Sequence, residues 1–274
     1  GIFVDDGQAF GDDIESLQPE LKQAFNLRWL NELNTMLGVH YTWKVENGMV
    51  RAVTLDQRAY ILKMAEVFEK ELEGVRPHST PMEPRQVLMS DGENEDDELI
   101  DESIPYRSVV GSLLFLSRLT APTLHFAVTQ ACRFSSAPRK SHWKAAIQIL
   151  KYAIDNKDKL TITYDNTVEY KGMYAFSDSE FATQDPETRR SFCGWVIYFC
   201  GGPVLWTIKQ NKRATRGTAQ TEYYALSMCA DEVMTMRELL KWMGYDELLG
   251  EATTIFCDNR SAIGNANGTM NPKA

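Results

Sequence analysis

The strongest constraint on how this chain can fold is a change of apolar period near residue 160. Before it, residues 106–118, 122–135 and 141–154 repeat apolar side chains at helical spacing, with Trp143, Ile147, Leu150 and Ile154 on one stripe. After it, TITY (161–164), KGMYAFSD (171–178), SFCGWVIYFC (191–200) and PVLWTIK (203–209) are short β-branched and aromatic runs, read as strands. Gly201-Gly202 supplies a tight hairpin between the last two. Residues 218–244 then sustain one long helical repeat through Leu226, Ala230, Val233, Leu240 and Met243, with Gly244 placed as its C′ residue. TTIFCD is another strand and NRSAIGNAN opens a short helix. Three adjacent strands, a long helix, a strand and a helix predict an α/β unit: a mixed sheet flanked by helices.

The upstream part reads more loosely. GIFVDD at 1–6 predicts a strand running into paired acids. Residues 13–27 predict a helix starting near Pro19. Residues 37–55 predict a hairpin turning at Asn47-Gly48. Residues 56–72 predict a helix with Tyr60, Ile61, Met64, Val67 and Phe68 on one face. Residues 74–104 are turn-rich and acidic and read as a surface loop or linker. Ala121-Pro122 separates two helices, and Ser141 is placed to cap the next.

Three acids stand in settings that suit chemistry. Asp178 (YAFSDSEFA) and Asp258 (TTIFCDNRSAI) follow apolar strands, and Glu222 (TAQTEYYAL) enters the long helix. Acids at two strand ends and in one helix can build a divalent-metal site, because hard cations such as Mg²⁺ prefer oxygen ligands. Taken singly, each acid also reads as a cap or an exposed strand end. The five cysteines have no metal-ligand spacing and read as reduced, buried thiols. With no signal peptide and no apolar run near the ~18 residues of a membrane helix, the reading is intracellular, cytoplasmic or nuclear, and not secreted.

A net charge of −9 disfavours a polyanion partner as a bulk quantity, but residues 91–102 hold eight acids and no base, and without them the charge falls to −1. Basic clusters remain at Arg139, Lys140 and Lys144, at Arg189 and Arg190, and at Lys209, Lys212, Arg213 and Arg216. Each also reads as a solvated face. Trp143, Trp195 and Trp206 read as core rather than as base-stacking platforms.

The ordered motifs carry a family resemblance. YRSVVGSLLFLSRLTAPTLHFAV and HWKAAIQILKY, then SDSEFATQDPETRRSFCGWVIYFCGGPVLWTIKQ, TAQTEYYAL and CDNRSAI, resemble the ribonuclease H region of copia-type retrotransposon polyproteins and the segment before it. FVDD, TMLGV, QRAYI and STPM resemble the end of that family's reverse transcriptase. The resemblance implies a partial reverse-transcriptase palm and thumb over 1–90, an acidic linker over 91–103, a helical connection over 104–158 and a ribonuclease H-like mixed sheet over 159–274. It implies two Mg²⁺ ions, replaceable by Mn²⁺, on Asp178, Glu222 and Asp258, cutting the RNA strand of an RNA–DNA hybrid. Lys209, Lys212, Arg213 and Arg216 would meet phosphates, and Asp5 and Asp6 would be a vestigial polymerase pair. The partners implied are the hybrid and the rest of the Pol polyprotein, with no membrane. Gln220 departs from the family, which often has an acid there. So do the absent third polymerase aspartate and the fourth ribonuclease carboxylate, so the expectation is a fragment incomplete at both ends with weak or no cleavage. The other reading is a non-catalytic nucleic-acid-binding connection module or a decayed element.

Overall fold

The computed structural model describes residues 2–3, 6–7, 14–25, 34–92, 96–169, 172–180, 188–212 and 217–268. They form a mixed α/β structure with seven α-helices and two four-stranded sheets, beside a two-stranded ladder.

The ladder pairs β1 (Ile2–Phe3) with β2 (Asp6–Gly7), Phe3 opposite Asp6. Asp6 therefore lies on the second of two paired strands rather than after one continuous strand. Asp5 lies outside the described residues. Helix α1 (Ile14–Ala24) contains Pro19 in its interior rather than near its start.

The first sheet runs β3 (Thr35–Met36), β4 (Val39–Glu46), β5 (Met49–Asp56) and β6 (Thr161–Asp165), all antiparallel. The β4–β5 turn is Asn47-Gly48, both at positive φ, as a two-residue hairpin turn that follows the strand twist requires. β6 was read with the strands that follow it. It pairs instead with β5, about a hundred residues earlier, where Thr54 and Thr163 share a hydroxyl hydrogen bond of 2.9 Å. Its sequence fits either sheet; only the long-range pairing selects one.

Between these strands lies a helical layer: α2 (Arg58–Val67), α3 (Tyr106–Leu119), α4 (His125–Cys132) and α5 (Lys140–Asp155). Ile61, Met64, Leu113, Leu116, Leu124, Ile149 and Leu150 lie in one core. Val67, predicted on the buried face, is 63% exposed because it sits at the edge of the Ile61–Met64–Phe68 stripe. Ser141 does not cap α5. Its amide and hydroxyl instead donate to Asp97 Oδ1 and Oδ2 at 2.9 and 2.6 Å, so a buried acid from the acidic segment satisfies the helix start. Leu116→Ala, fully buried, is expected to cost about 3 kcal/mol, read as a lower urea midpoint with an unchanged slope.

The second sheet carries the acids. Its order is β10 (Thr254–Phe256), β7 (Tyr174–Glu180), β8 (Phe192–Phe199), β9 (Gly202–Gln210). The three consecutive strands are antiparallel and β10 joins β7 in parallel. The long crossover to β10 runs through α6 (Thr218–Trp242), as a parallel pair requires. The β8–β9 turn is Cys200-Gly201, both at positive φ, not Gly201-Gly202. Gly202 begins β9 instead, and a Cβ there would meet the Tyr164 ring at 2.6 Å. That approach lets Tyr164 Oη donate to Pro203 O at 2.7 Å, joining the two sheets. α6 packs Ala225, Cys229, Val233 and Leu240 onto Met173, Ala175, Cys193, Trp195 and Ile197. A short helix α7 (Arg260–Ala266) follows, capped by Asn259 Oδ1 accepting from Ala262 N at 3.0 Å.

Candidate metal centre

Strand register brings two of the acids together. Phe256 of β10 pairs with Phe176 of the parallel β7. Asp178 stands two residues further on, inside β7 rather than after its end, and Asp258 stands two residues past the end of β10. Both line one open depression of about 340 Å³, with Phe176, Ser177, Phe256 and Cys257.

Glu222 reaches this place from α6, one turn into the helix. Residues 222, 225, 229 and 233 form the buried stripe of α6, so Glu222 continues an apolar line. It is 4% exposed. A Glu222 carboxylate oxygen, an Asp258 carboxylate oxygen and Cys257 Sγ all lie within 4.8 Å of one another. Burial, with the charges of Asp178 and Asp258, holds the Glu222 carboxyl above its ordinary range, against a pull from Ser179. Ser179 approaches the carboxylate, yet neither its hydroxyl nor Glu222 Oε2 completes a well-formed hydrogen bond among the described residues. The Ser179 amide donates to Asp178 Oδ1 at 2.8 Å.

This strain has a pH signature. A carboxyl raised on folding binds its proton more tightly in the native state. It therefore costs stability once pH rises past the unfolded value of about 4.5, fully so above the native value. Glu222→Gln should raise the melting temperature near neutral pH and leave it unchanged below the ordinary glutamate range. Thermal melts at the two pH values test this; an equal effect at both would contradict it.

The basic residues are less gathered than expected. Lys209 Nζ is 3.8 Å from a Glu232 carboxylate oxygen and lies over the Trp195 ring at 5.1 Å. Lys212 is exposed, and Arg213 and Arg216 lie outside the described residues. Arg139 and Lys140 are turned to the acidic segment. Arg139 donates to Ser90 O and Asp97 O, and Lys140 pairs with Glu98 at 2.6 Å. Trp195 is buried, and Trp206 Nε1 donates to Ser117 O at 2.8 Å, tying β9 to α3.

With this geometry in view, the chain can be set beside known proteins. It is 27% identical over 277 residues to the retrovirus-related Pol polyprotein from transposon TNT 1-94 of Nicotiana tabacum, covering 98% of this chain. It is likewise 27% identical over 267 residues to that from transposon RE2 of Arabidopsis thaliana, covering 95% of this chain. Its homologues are copia-type retrotransposon Pol polyproteins. The chain spans only 20% and 17% of those two polyproteins. A shorter relative is "Secreted RxLR effector protein 161" of Plasmopara viticola, 32% identical over 134 residues, which are 92% of that protein and 48% of this chain. No family model and no solved structure matches.

In this Pol-related chain the sequence reading did not single out Cys257, at the centre, or Arg237, which supports the loop before β10. Cys257 was set aside with the other thiols, although it immediately precedes Asp258. Arg237 lay unremarked on α6. Its Nη1 donates to Leu249 O and Thr253 Oγ1 at 3.0 and 2.9 Å, and its Nη2 to Gly250 O and Glu251 O at 2.9 and 3.3 Å. It thereby holds the loop that leads into β10 and Asp258. The spacing of Cys257 to Asp258 was readable; the reach of Arg237 was not.

Proposed function

We propose that this chain carries a ribonuclease H-like unit that hydrolyses the RNA strand of an RNA–DNA hybrid with divalent metal. The observation that carries this reading is the meeting of Glu222 with Asp258, which lines one depression with Asp178 beside the parallel β7–β10 pair. The sheet supports it: three antiparallel strands, then a helix crossing to a fourth strand parallel to the first. So does the likeness to Pol polyproteins across nearly the whole chain.

The residues fit a hard cation. Asp178 and Asp258 line one depression, Glu222 closes on Asp258 within 4.8 Å, and Glu222 Oε2 is a buried acceptor with no hydrogen-bond partner among the described residues. Asp178, Glu222 and Asp258 would hold the metal. Bound there, Mg²⁺ would lower the pKa of a water and offset charge on the leaving oxygen. The chain itself supplies the positioning. β7 fixes Asp178, the short link between β10 and α7 carries Asp258, and α6 fixes Glu222. Burial first, and then the charges of Asp178 and Asp258, disfavour ionised Glu222, and a bound dication would offset both. Lys212, exposed two residues past the end of β9, would meet phosphate, which positions a substrate without reading its sequence. A hybrid would be told from duplex DNA through its 2′-hydroxyls.

The test is incubation of residues 1–274 with a labelled RNA–DNA hybrid, duplex DNA and duplex RNA, with Mg²⁺, with Mn²⁺ and with chelator. Cleavage confined to the hybrid and to the metal-containing samples is expected. Metal-independent hybrid binding with no cleavage would replace this reading with a non-catalytic connection module. Neither binding nor cleavage would point to a decayed element.

A further inference from the structure

Cys257 is the one ligand-bearing group in the cluster that a magnesium site leaves unused. Its Sγ lies within 4.8 Å of ligand oxygens of both Glu222 and Asp258. A thiol beside two acids is not by itself a site. The second observation is Glu222, 4% exposed and within the cluster, with Oε2 lacking a hydrogen-bond partner among the described residues. A buried carboxylate oxygen without a donor is completed by a cation or by a proton.

We propose that Glu222, Cys257 and Asp258 form a binding site for a thiophilic divalent cation, zinc foremost, which competes for two of the carboxylates that magnesium would use. Zinc takes thiolate and carboxylate ligands together in tetrahedral sites, with a water free to complete the set. Ligand atoms around such an ion stand roughly 3.5 Å apart, so the cluster needs only a modest side-chain contraction. Magnesium, a hard ion, takes the oxygens and not the sulfur. A thiol binds such an ion as the thiolate. Zinc binding therefore breaks the S–H bond, releases that proton to the buffer and forms a Zn–S bond, with no redox change. Among the described residues no other group of three His, Cys, Asp or Glu side chains is so closely spaced. Cys193 and Cys229 are buried, and Cys193 donates to Asn211 Oδ1.

Cadmium reports on the site directly, because a cadmium–thiolate bond gives an ultraviolet charge-transfer band. Titrating residues 1–274 with Cd²⁺ should produce that band, Zn²⁺ should erase it and Mg²⁺ should not. Loss of an outer-shell partner costs about 10–100-fold in metal affinity, and loss of a ligand costs at least that. Cys257→Ser and Cys257→Ala should therefore abolish the band and weaken Zn²⁺ binding about tenfold or more, and Glu222→Gln should weaken both. Cys132→Ser and Cys200→Ser, at the other partly exposed thiols, should leave the band in place. An undiminished band in the Cys257 variants overturns the proposal. If those variants do not fold, an undiminished band in Glu222→Gln overturns it instead. Neither readout involves hybrid cleavage, so a chain that binds cadmium through Cys257 but cuts nothing refutes the ribonuclease reading and leaves this site standing.

Discussion

Asp178→Asn is expected to reduce Mg²⁺-dependent cleavage of the RNA strand by about 10³-fold or more while leaving the fold intact. A metal ion contributes several kcal/mol of charge stabilisation, and each 1.36 kcal/mol is a factor of ten in rate. Removing one of three carboxylates weakens the hold on that ion. Folding should not suffer. Asp178 accepts a 2.8 Å hydrogen bond from the Ser179 amide through Oδ1, which an asparagine oxygen can keep. The substitution also removes one of the charges that raises the pKa of Glu222, so the melting temperature should hold or rise. Calorimetric Mg²⁺ titration of both forms, together with hybrid cleavage, is the measurement. Equal metal affinity in the two forms would remove Asp178 from the site.

Arg237→Ala should produce the opposite pattern: lower stability first, and metal binding impaired as a consequence. The guanidinium is shared among three carbonyls and one hydroxyl between Leu249 and Thr253. Hydrogen bonds from charged donors contribute about 1.5–3 kcal/mol each when buried, and water at this partly exposed loop recovers part of that. A net loss of about 2–3 kcal/mol is expected, read as a lower urea midpoint. β10 has only three residues, so once its leading loop is freed Asp258 is held less firmly. Mg²⁺ affinity should fall with stability, and Arg237→Lys should restore little, because one ammonium cannot span the four acceptors. A variant of unchanged stability would mean that the loop is held by its own backbone.

Much of the local structure was legible because it depends on neighbours in sequence. Asn47-Gly48 demands a tight hairpin, Gly244 ends α6 in the left-handed conformation it alone adopts cheaply, and the helices at 106–155 follow from apolar period. Of the α6 stripe expected from Leu226, Ala230, Val233, Leu240 and Met243, Val233 and Leu240 are buried, but ahead of them the buried line runs through Glu222, Ala225 and Cys229, one position from Leu226 and Ala230. A carboxylate does not score as apolar, so a pattern search steps around the residue that matters most.

The sequence by itself determined most of the helices and strands, the hairpin at Asn47-Gly48, and that Asp178 and Asp258 follow apolar runs while Glu222 stands near a helix start. Those are consequences of side-chain period and of backbone preferences within a few residues. Only the tertiary structure decided that β6 joins β5, that Asp97 caps α5 from 44 residues away in sequence, that Arg237 holds the approach to β10, and that Cys257 shares the space between Glu222 and Asp258. Each of these pairs residues far apart in sequence. Their partners are chosen by which polar groups folding buries side by side and leaves to satisfy one another, and no local pattern records that choice.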